Sequence, residues 1–180
     1  MATVSDNGFM SSLDKQKIDG IKALVPATLL LAAVTNINTT ADANILAVTI
    51  PAGAFPAGST LKISLVANLS NAAGGGTLSF WVKFGTGKAI QFIVSTPAAA
   101  TANVGAMMVV DITQVAANSV VLAGLVSNTG GVYTPAPFVT SNNTALDSTV
   151  ANTITVGWNW SVADPANIAV ARSCKIIQEA

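Results

Sequence analysis

The sequence contains no histidine and a single cysteine, Cys174. Without histidine the commonest general acid–base group is missing, and a Ser-His-Asp triad cannot form. One cysteine cannot make an intrachain disulfide, and no Cys-x-x-Cys or Cys/His cluster offers a zinc site. The sequence therefore predicts a fold that needs no disulfide, no metal and no other cofactor.

Charge is also scarce. Only 9% of the residues are charged, against about 25% in an ordinary soluble domain. The eight basic residues are scattered, so the chain lacks the basic stripe that nucleic acid requires as a partner. A neutral monomer with so few charges is poorly protected against association, which predicts specific self-association or a place in a larger particle. The alternative is a compact monomer covered by alanine and threonine.

Long hydrophobic runs are absent as well. The longest, Leu29 to Val34, is far shorter than the roughly 20 residues that cross a bilayer. The start "MATVSDNGFM" has no basic region of the kind that opens a signal peptide. Neither secretion by that route nor membrane insertion is expected.

The acidic residues beyond the first 22 are far apart in sequence, so none suggests a glycosidase pair. The glycines of "NAAGGGT" and "GTGK" lack the spacing of a phosphate loop, and no Asp-x-Asp-x-Asp run suggests calcium. These absences predict a protein that is not an enzyme. An enzyme on a β-scaffold remains a third alternative, after a structural protein and a recognition module.

Residues 11 to 24 form the one helical pattern, with Ser11 as its cap and Gly20 as a stop. So short a helix is marginal in water and must pack on something. It packs either on its own sheet or on copies of itself. Pro26 ends the segment, which divides the chain into an N-terminal anchor, residues 1–26, and a β-domain, residues 27–180. The apolar residues that would be buried are Met10, Leu13, Ile18, Ile21 and Leu24.

From Leu29 onward the hydrophobic period is two, and turn signals recur every eight to fifteen residues. In "TLSFWVKF", for example, Leu78, Phe80 and Val82 alternate with polar neighbours and Trp81. The pattern predicts an antiparallel β-sandwich, jelly-roll-like, with a long irregular stretch at 128–149. The predicted strands are 29–34, 44–50, 60–69, 77–84, 88–95, 106–115, 118–127, 150–160 and 168–178.

The segment "GFMSSLDKQKIDGI", residues 8 to 21, resembles one that recurs in fibre and appendage proteins of tailed bacteriophages. The matching positions are Gly8, Met10, Ser11, Asp14, Lys15, Lys17, Asp19, Gly20 and Ile21. Ile18 stands where leucine is commoner. The C-terminal "TITVGWNWSVADPANIAVARSCKII" is similar to the last β-hairpin of many small phage virion proteins.

The resemblance implies a homotrimeric virion component whose short helices meet near a threefold axis, which would bury the five apolar residues of the N-terminal segment. The chain is too short for a long tail fibre. We therefore expect a capsid decoration or short head-fibre protein that binds other virion proteins and is made in the bacterial host cytoplasm. The alternative is a trimeric receptor-binding tail-fibre tip that recognises a host surface glycan.

Aromatic residues bear on that alternative. Trp81 and Tyr133 fall on predicted outer or loop positions, where each could stack on a host saccharide or lie in a subunit interface. Trp158 and Trp160 share a strand face with Ile154 and are expected in the core.

Overall fold

A computed structural model describes residues 28–29, 32–74, 76–84, 87–95, 100–116, 119–128, 136–143, 147 and 149–179. These residues form strands joined by turns, and the paired strands are antiparallel. The strands are β1 (Thr28–Leu29), β2 (Val34–Ile37), β3 (Ala43–Ile50), β4 (Thr60–Asn71), β5 (Thr77–Phe84), β6 (Gly87–Ser95), β7 (Thr101–Ala116), β8 (Ser119–Asn128), β9 (Ala136–Asn143), β10 (Asn152–Trp160) and β11 (Ile168–Glu179).

The described strands make two sheets. The larger has seven strands in the order β1-β11-β4-β7-β8-β9, with β2 also paired to β11. The smaller has four strands in the order β3-β10-β5-β6. The chain passes from one sheet to the other at six connections, namely β2–β3, β3–β4, β4–β5, β6–β7, β9–β10 and β10–β11. Crossing of this kind is how jelly-roll-like sandwiches enclose a core, so the predicted all-β antiparallel sandwich is confirmed.

The alternation of apolar residues sets the inner face of each sheet. On β4, Leu61, Ile63 and Leu65 are fully buried, and on β5, Leu78, Phe80 and Val82 are too. Buried residues of both sheets belong to one hydrophobic cluster. Trp158 and Trp160 are in that cluster, as predicted, and the Trp158 ring lies 5.9 Å from the ring of its cross-strand partner Phe80.

Two strand predictions need correction. The strand expected at 29–34 is replaced by β1 and β2, both of which pair with β11. The stretch 128–149, expected to be irregular, contains β9. Among the described strands, β9 pairs with β8 alone and lies at the edge of the sheet, where Pro137 needs no partner for a backbone N–H. The sequence "APFVTSNN" lacks regular alternation, and the pattern therefore did not reveal it.

A buried asparagine joins three connections at one end of the sandwich. Asn167 is fully buried, its Oδ1 accepts from the Ala72 backbone N–H at 3.2 Å, and its Nδ2 donates to the Val162 carbonyl at 3.1 Å. Its own carbonyl accepts from the Asn38 N–H at 3.3 Å. One side chain thus fixes the turn after β4 to the turn before β11.

The predicted helix at 11–24 and the anchor 1–26 lie outside the described residues. Within the ranges given above, no helix has the length and hydropathy needed to cross a membrane.

Candidate functional site

Trp81 was predicted on an outer face, and the structure places it on the face of β5 opposite to Phe80 and Val82. Its ring is nevertheless fully buried, whereas the prediction expected an accessible ring. That part of the prediction is wrong. A saccharide cannot stack on this indole as it lies in the structure.

The indole lies across the neighbouring strand. Trp81 is opposite Gly157 of β10, and a Cβ built on Gly157 would overlap the Cη2 and Cζ2 atoms of the ring. The same Cβ would come within 2.5 Å of the carbonyl oxygen of Ala43 on β3. Glycine at 157 therefore allows the large ring to lie close to the backbone of the sheet.

The indole also contacts a cation. The Lys83 ammonium nitrogen lies 4.2 Å from the centroid of the Trp81 ring, within the range of a cation–π contact. The same nitrogen donates to Oδ2 of Asp42 at 3.0 Å. Asp42 directly precedes β3, so the ion pair spans the sheet from β5 to its edge. We call Asp42, Lys83, Trp81 and Gly157 the Trp81 stack.

The residues of the Trp81 stack connect strands to one another and lack the groups needed for catalysis. It contains one carboxylate, which is engaged by Lys83, and it contains no hydroxyl or thiol nucleophile. Its contacts hold the outer face of the smaller sheet together across three strands. The stack therefore supplies rigidity.

A second charged group lies on the outer face of the larger sheet. Lys62 of β4 donates to Oε1 of Glu179 on β11 at 2.6 Å. This hydrogen bond, together with the charges of Glu179 and Asp111, raises the pKa of Lys62 above its ordinary 10.5. Asp111 is directly opposite Lys62 on β7. One lysine thus lies between two carboxylates, an arrangement that keeps it charged.

In the described part of the chain, the other reactive groups are not assembled into a site. Cys174 is buried on β11, and burial raises the pKa of its thiol to about 12, which keeps it protonated and unreactive. Among the residues that the structure describes, no three His, Cys, Asp or Glu side chains come together in a way that could hold a metal ion.

The remaining predicted site residues lie outside the described residues. They are Tyr133 and the five proposed trimerisation residues Met10, Leu13, Ile18, Ile21 and Leu24.

The sequence predicted the strand face of Trp81 but did not reveal the residues that contact its ring. The period of two placed Lys83 on the same strand face as Trp81, but it did not reveal that the two side chains are in contact. Gly157 inside a strand pattern is itself a signal of close backbone approach. Asp42 had no such signal, because it comes from a distant part of the chain.

No family model matches this chain, and no curated protein matches it in sequence. Solved structures do resemble it. Peanut lectin in complex with a 9-residue peptide has a TM-score of 0.44 at 10% identity, and the match covers 89% of this chain and 93% of the lectin. The PL-14 alginate lyase from Aplysia kurodai has a TM-score of 0.42 at 7% identity, covering 74% of this chain and 82% of the lyase.

A third similar structure is the CBM2 module of the evolved Dit protein of Lactobacillus casei BL23 phage J-1. Its TM-score is 0.33 at 11% identity, and the match covers 86% of this chain and 96% of that module. These three TM-scores are all below 0.5. The description of this chain as a sandwich rests on its own strand pairing.

Proposed function

We propose that this protein is a non-enzymatic structural component of a bacteriophage virion. In this proposal it is a homotrimeric capsid decoration or short head-fibre protein, attached to the particle through its N-terminal segment, residues 1–26. In this proposal the protein is located in the phage particle, where it binds its own copies and other virion proteins.

One observation carries the proposal. On the outer face of the larger sheet, the apolar side chains of Val66 and Met107 are directly opposite each other and are 44% and 40% exposed. Adjacent exposed apolar residues on a sheet face are typical of a surface that a partner covers.

The chemistry of the described residues supports a structural role. The Trp81 stack holds strands together, the one cysteine is buried and unreactive, and Lys62 pairs with Glu179 on the larger sheet. The resemblance of residues 8 to 21 to the phage appendage segment supplies the link to a virion.

The glycan-binding tip is less well supported. Of the two aromatic residues that suggested it, Trp81 is covered by Lys83 and lies against Gly157. A glycan array with the full chain addresses this alternative directly. Glycan binding that is lost in Tyr133→Ala would replace a purely structural role with host recognition.

The trimer is tested by light scattering on the full chain. We expect a mass of about 54 kDa, three times the 18.1 kDa of one chain. Deletion of residues 1–24 is expected to shift the mass toward one chain, because the proposed helices would be gone. A full-length chain that stays at 18.1 kDa at high concentration would contradict the homotrimer. Mass spectrometry of purified particles from a phage that encodes this chain tests its place in the virion.

A further inference from the structure

Strand β2 is held to the larger sheet along one side. Within the described part of the chain its partner is β11, where its four residues pair with Ile168–Ala171. Its outward side chains, Thr35 and Ile37, are exposed. On the inner face, Val34 is only partly buried against the core. The docking of β2 therefore gains little from the burial of apolar surface.

The other inward side chain of β2 is polar and lacks hydrogen bonds. Asn36 is 2% exposed, and neither Nδ2 nor Oδ1 of its amide has a partner in the part of the chain that the structure describes. A buried amide of this kind has given up its bonds to water without replacing them, which disfavours the docked strand. Release of β2 would return the amide to water. The closed position of β2 thus combines a small apolar gain with a polar cost.

The connection from β2 to β3 has the features of a hinge. Asn38, directly after β2, has a φ of 50°, in the left-handed region, so the strand conformation ends there. In the turn that follows, the Ala41 N–H donates to Oγ1 of Thr39 at 3.1 Å. Lys83 then donates to Oδ2 of Asp42 at 3.0 Å, which holds the residue before β3 to β5. Strand β2 can therefore swing about this turn while β3 stays in place.

The strand that β2 covers is held independently of it. Strand β11 pairs with β4 along its length, apart from one bulge. Just before β11, the Asn167 side chain bonds the Ala72 N–H and the Val162 carbonyl. The Asn38 N–H donates to the Asn167 carbonyl at 3.3 Å, which is longer than the usual range of about 2.7–3.2 Å. Loss of that long bond on opening leaves both side-chain bonds of Asn167 intact.

We propose that β2 is a strap that opens from the edge of β11 and closes again while the rest of the sandwich stays folded. The inference concerns the described strands alone and does not depend on the proposed place in a virion. Local opening of this kind involves elements with few buried apolar contacts. In the open state, the backbone groups of Ile168–Ala171 that face β2 form a free sheet edge.

Native-state hydrogen exchange, resolved by residue, tests the opening. Strand β11 lies between β2 and β4, so its backbone hydrogen bonds over Ile168–Ala171 are divided between the two neighbours. We expect the amides bonded between β2 and β11 to exchange at least about a hundredfold faster than those bonded between β11 and β4. Equal protection on the two sides of β11 would overturn the inference.

A variant in the distant core separates local opening from global unfolding. Ile112 is fully buried on β7, and Ile112→Val should lower the stability of the whole domain. Amides bonded between β11 and β4 are then expected to exchange about three- to tenfold faster, whereas those bonded between β2 and β11 should keep their rate. If both sets speed up by the same factor, β2 opens only when the whole domain unfolds, and the inference fails.

A variant of the strap tests the role of the buried amide. Asn36→Val replaces the amide by an apolar side chain on the inner face and should slow exchange between β2 and β11 by about tenfold. Thr35→Val is the matched control, because it introduces the same residue on the exposed face of the same strand and should change that rate by less than about threefold. An Asn36→Val variant that exchanges no more slowly than Thr35→Val would contradict the proposed cause of the opening.

Discussion

The ring of Trp81 lies directly against the backbone of Gly157, its cross-strand partner on β10. The ring extends over the neighbouring strand far enough that a side chain on Gly157 would also approach the carbonyl of Ala43 on β3. Lys83 covers the ring from the solvent side. A large aromatic residue on an outer strand face is buried in this way without a second layer of strands above it among those that the structure describes.

This contact predicts that Gly157→Ala destabilises the protein. The added methyl group overlaps the indole, so either the ring or strand β10 must move, and overpacking of this kind costs about 1–3 kcal/mol. Unfolding in urea, monitored by circular dichroism, measures the loss in the free energy of unfolding. In a Trp81→Ala background part of the cost should disappear, because the ring atoms that clash are gone while the carbonyl oxygen of Ala43 remains. An equal cost in both backgrounds would mean that the ring is not the cause.

The cover over the ring can be tested separately. Lys83→Ala should expose the indole, increase acrylamide quenching of tryptophan fluorescence and reduce the free energy of unfolding by about 0.5–1 kcal/mol. Trp158 and Trp160 stay buried and contribute a constant background. Lys83→Met keeps an aliphatic cover but removes the charge, so it should restore most of the protection from quenching. If Lys83→Ala leaves quenching unchanged, the lysine is not what shields the ring.

Two buried asparagines should respond differently to removal. The side chain of Asn167 bonds the Ala72 N–H and the Val162 carbonyl, so Asn167→Ala leaves two groups without their partner and should cost about 2–4 kcal/mol. Asn36 is only 2% exposed, and its amide has no hydrogen-bond partner within the described part of the chain. Its removal leaves no other group unpaired, and Asn36→Ala should cost less than about 1 kcal/mol. Chemical denaturation measures the free energy of unfolding of both variants. Equal losses for Asn167→Ala and Asn36→Ala would contradict the prediction.

The hydrogen bonds of Asp147 are expected to make the stability of the protein depend on pH in the acid range. Its Oδ1 accepts from the Thr149 N–H at 2.9 Å and from the Thr149 hydroxyl at 2.6 Å. These bonds lower the pKa of Asp147 below its ordinary 3.8 in the folded protein. The charged carboxylate therefore stabilises the fold at pH values above 3.8, and this contribution is lost as the pH falls through the lower, folded pKa.

The measurement is the melting temperature as a function of pH. Asp147→Asn keeps an acceptor oxygen but cannot titrate, so it should be less stable than the unmodified chain near neutral pH. The difference should shrink as the pH falls below about 4, where the unmodified carboxyl becomes protonated. A difference that stays constant through the acid range would show that the charge of Asp147 does not contribute.

The sequence predicted the strands that have one buried face and one open face. Strands β4 and β5 alternate clearly, so their inner residues, such as Leu65 and Phe80, could be named in advance. The edge strand β9 carries no such pattern, because an edge position requires neither regular alternation nor a full set of backbone donors.

The candidate site was less predictable for a related reason. A period of two tells which face a residue occupies, and it placed Trp81 on the correct face. It does not tell whether neighbours cover that face. The burial of Trp81 depends on Gly157, far away in sequence, and on the reach of the Lys83 side chain.

The position of β11 has a consequence for how the protein is made. This strand is paired between β4 on one side and β1 and β2 on the other, and its Glu179 contacts Lys62 across a separation of 117 residues. Contacts between such distant parts of a chain form slowly, because a long loop must close first. On the ribosome, β4 emerges long before β11, the strand that pairs with its edge. Until β11 is made, the backbone N–H and C=O groups along that edge of β4 have no strand partner. We expect chaperones to hold the unfinished sheet until β11 has been made.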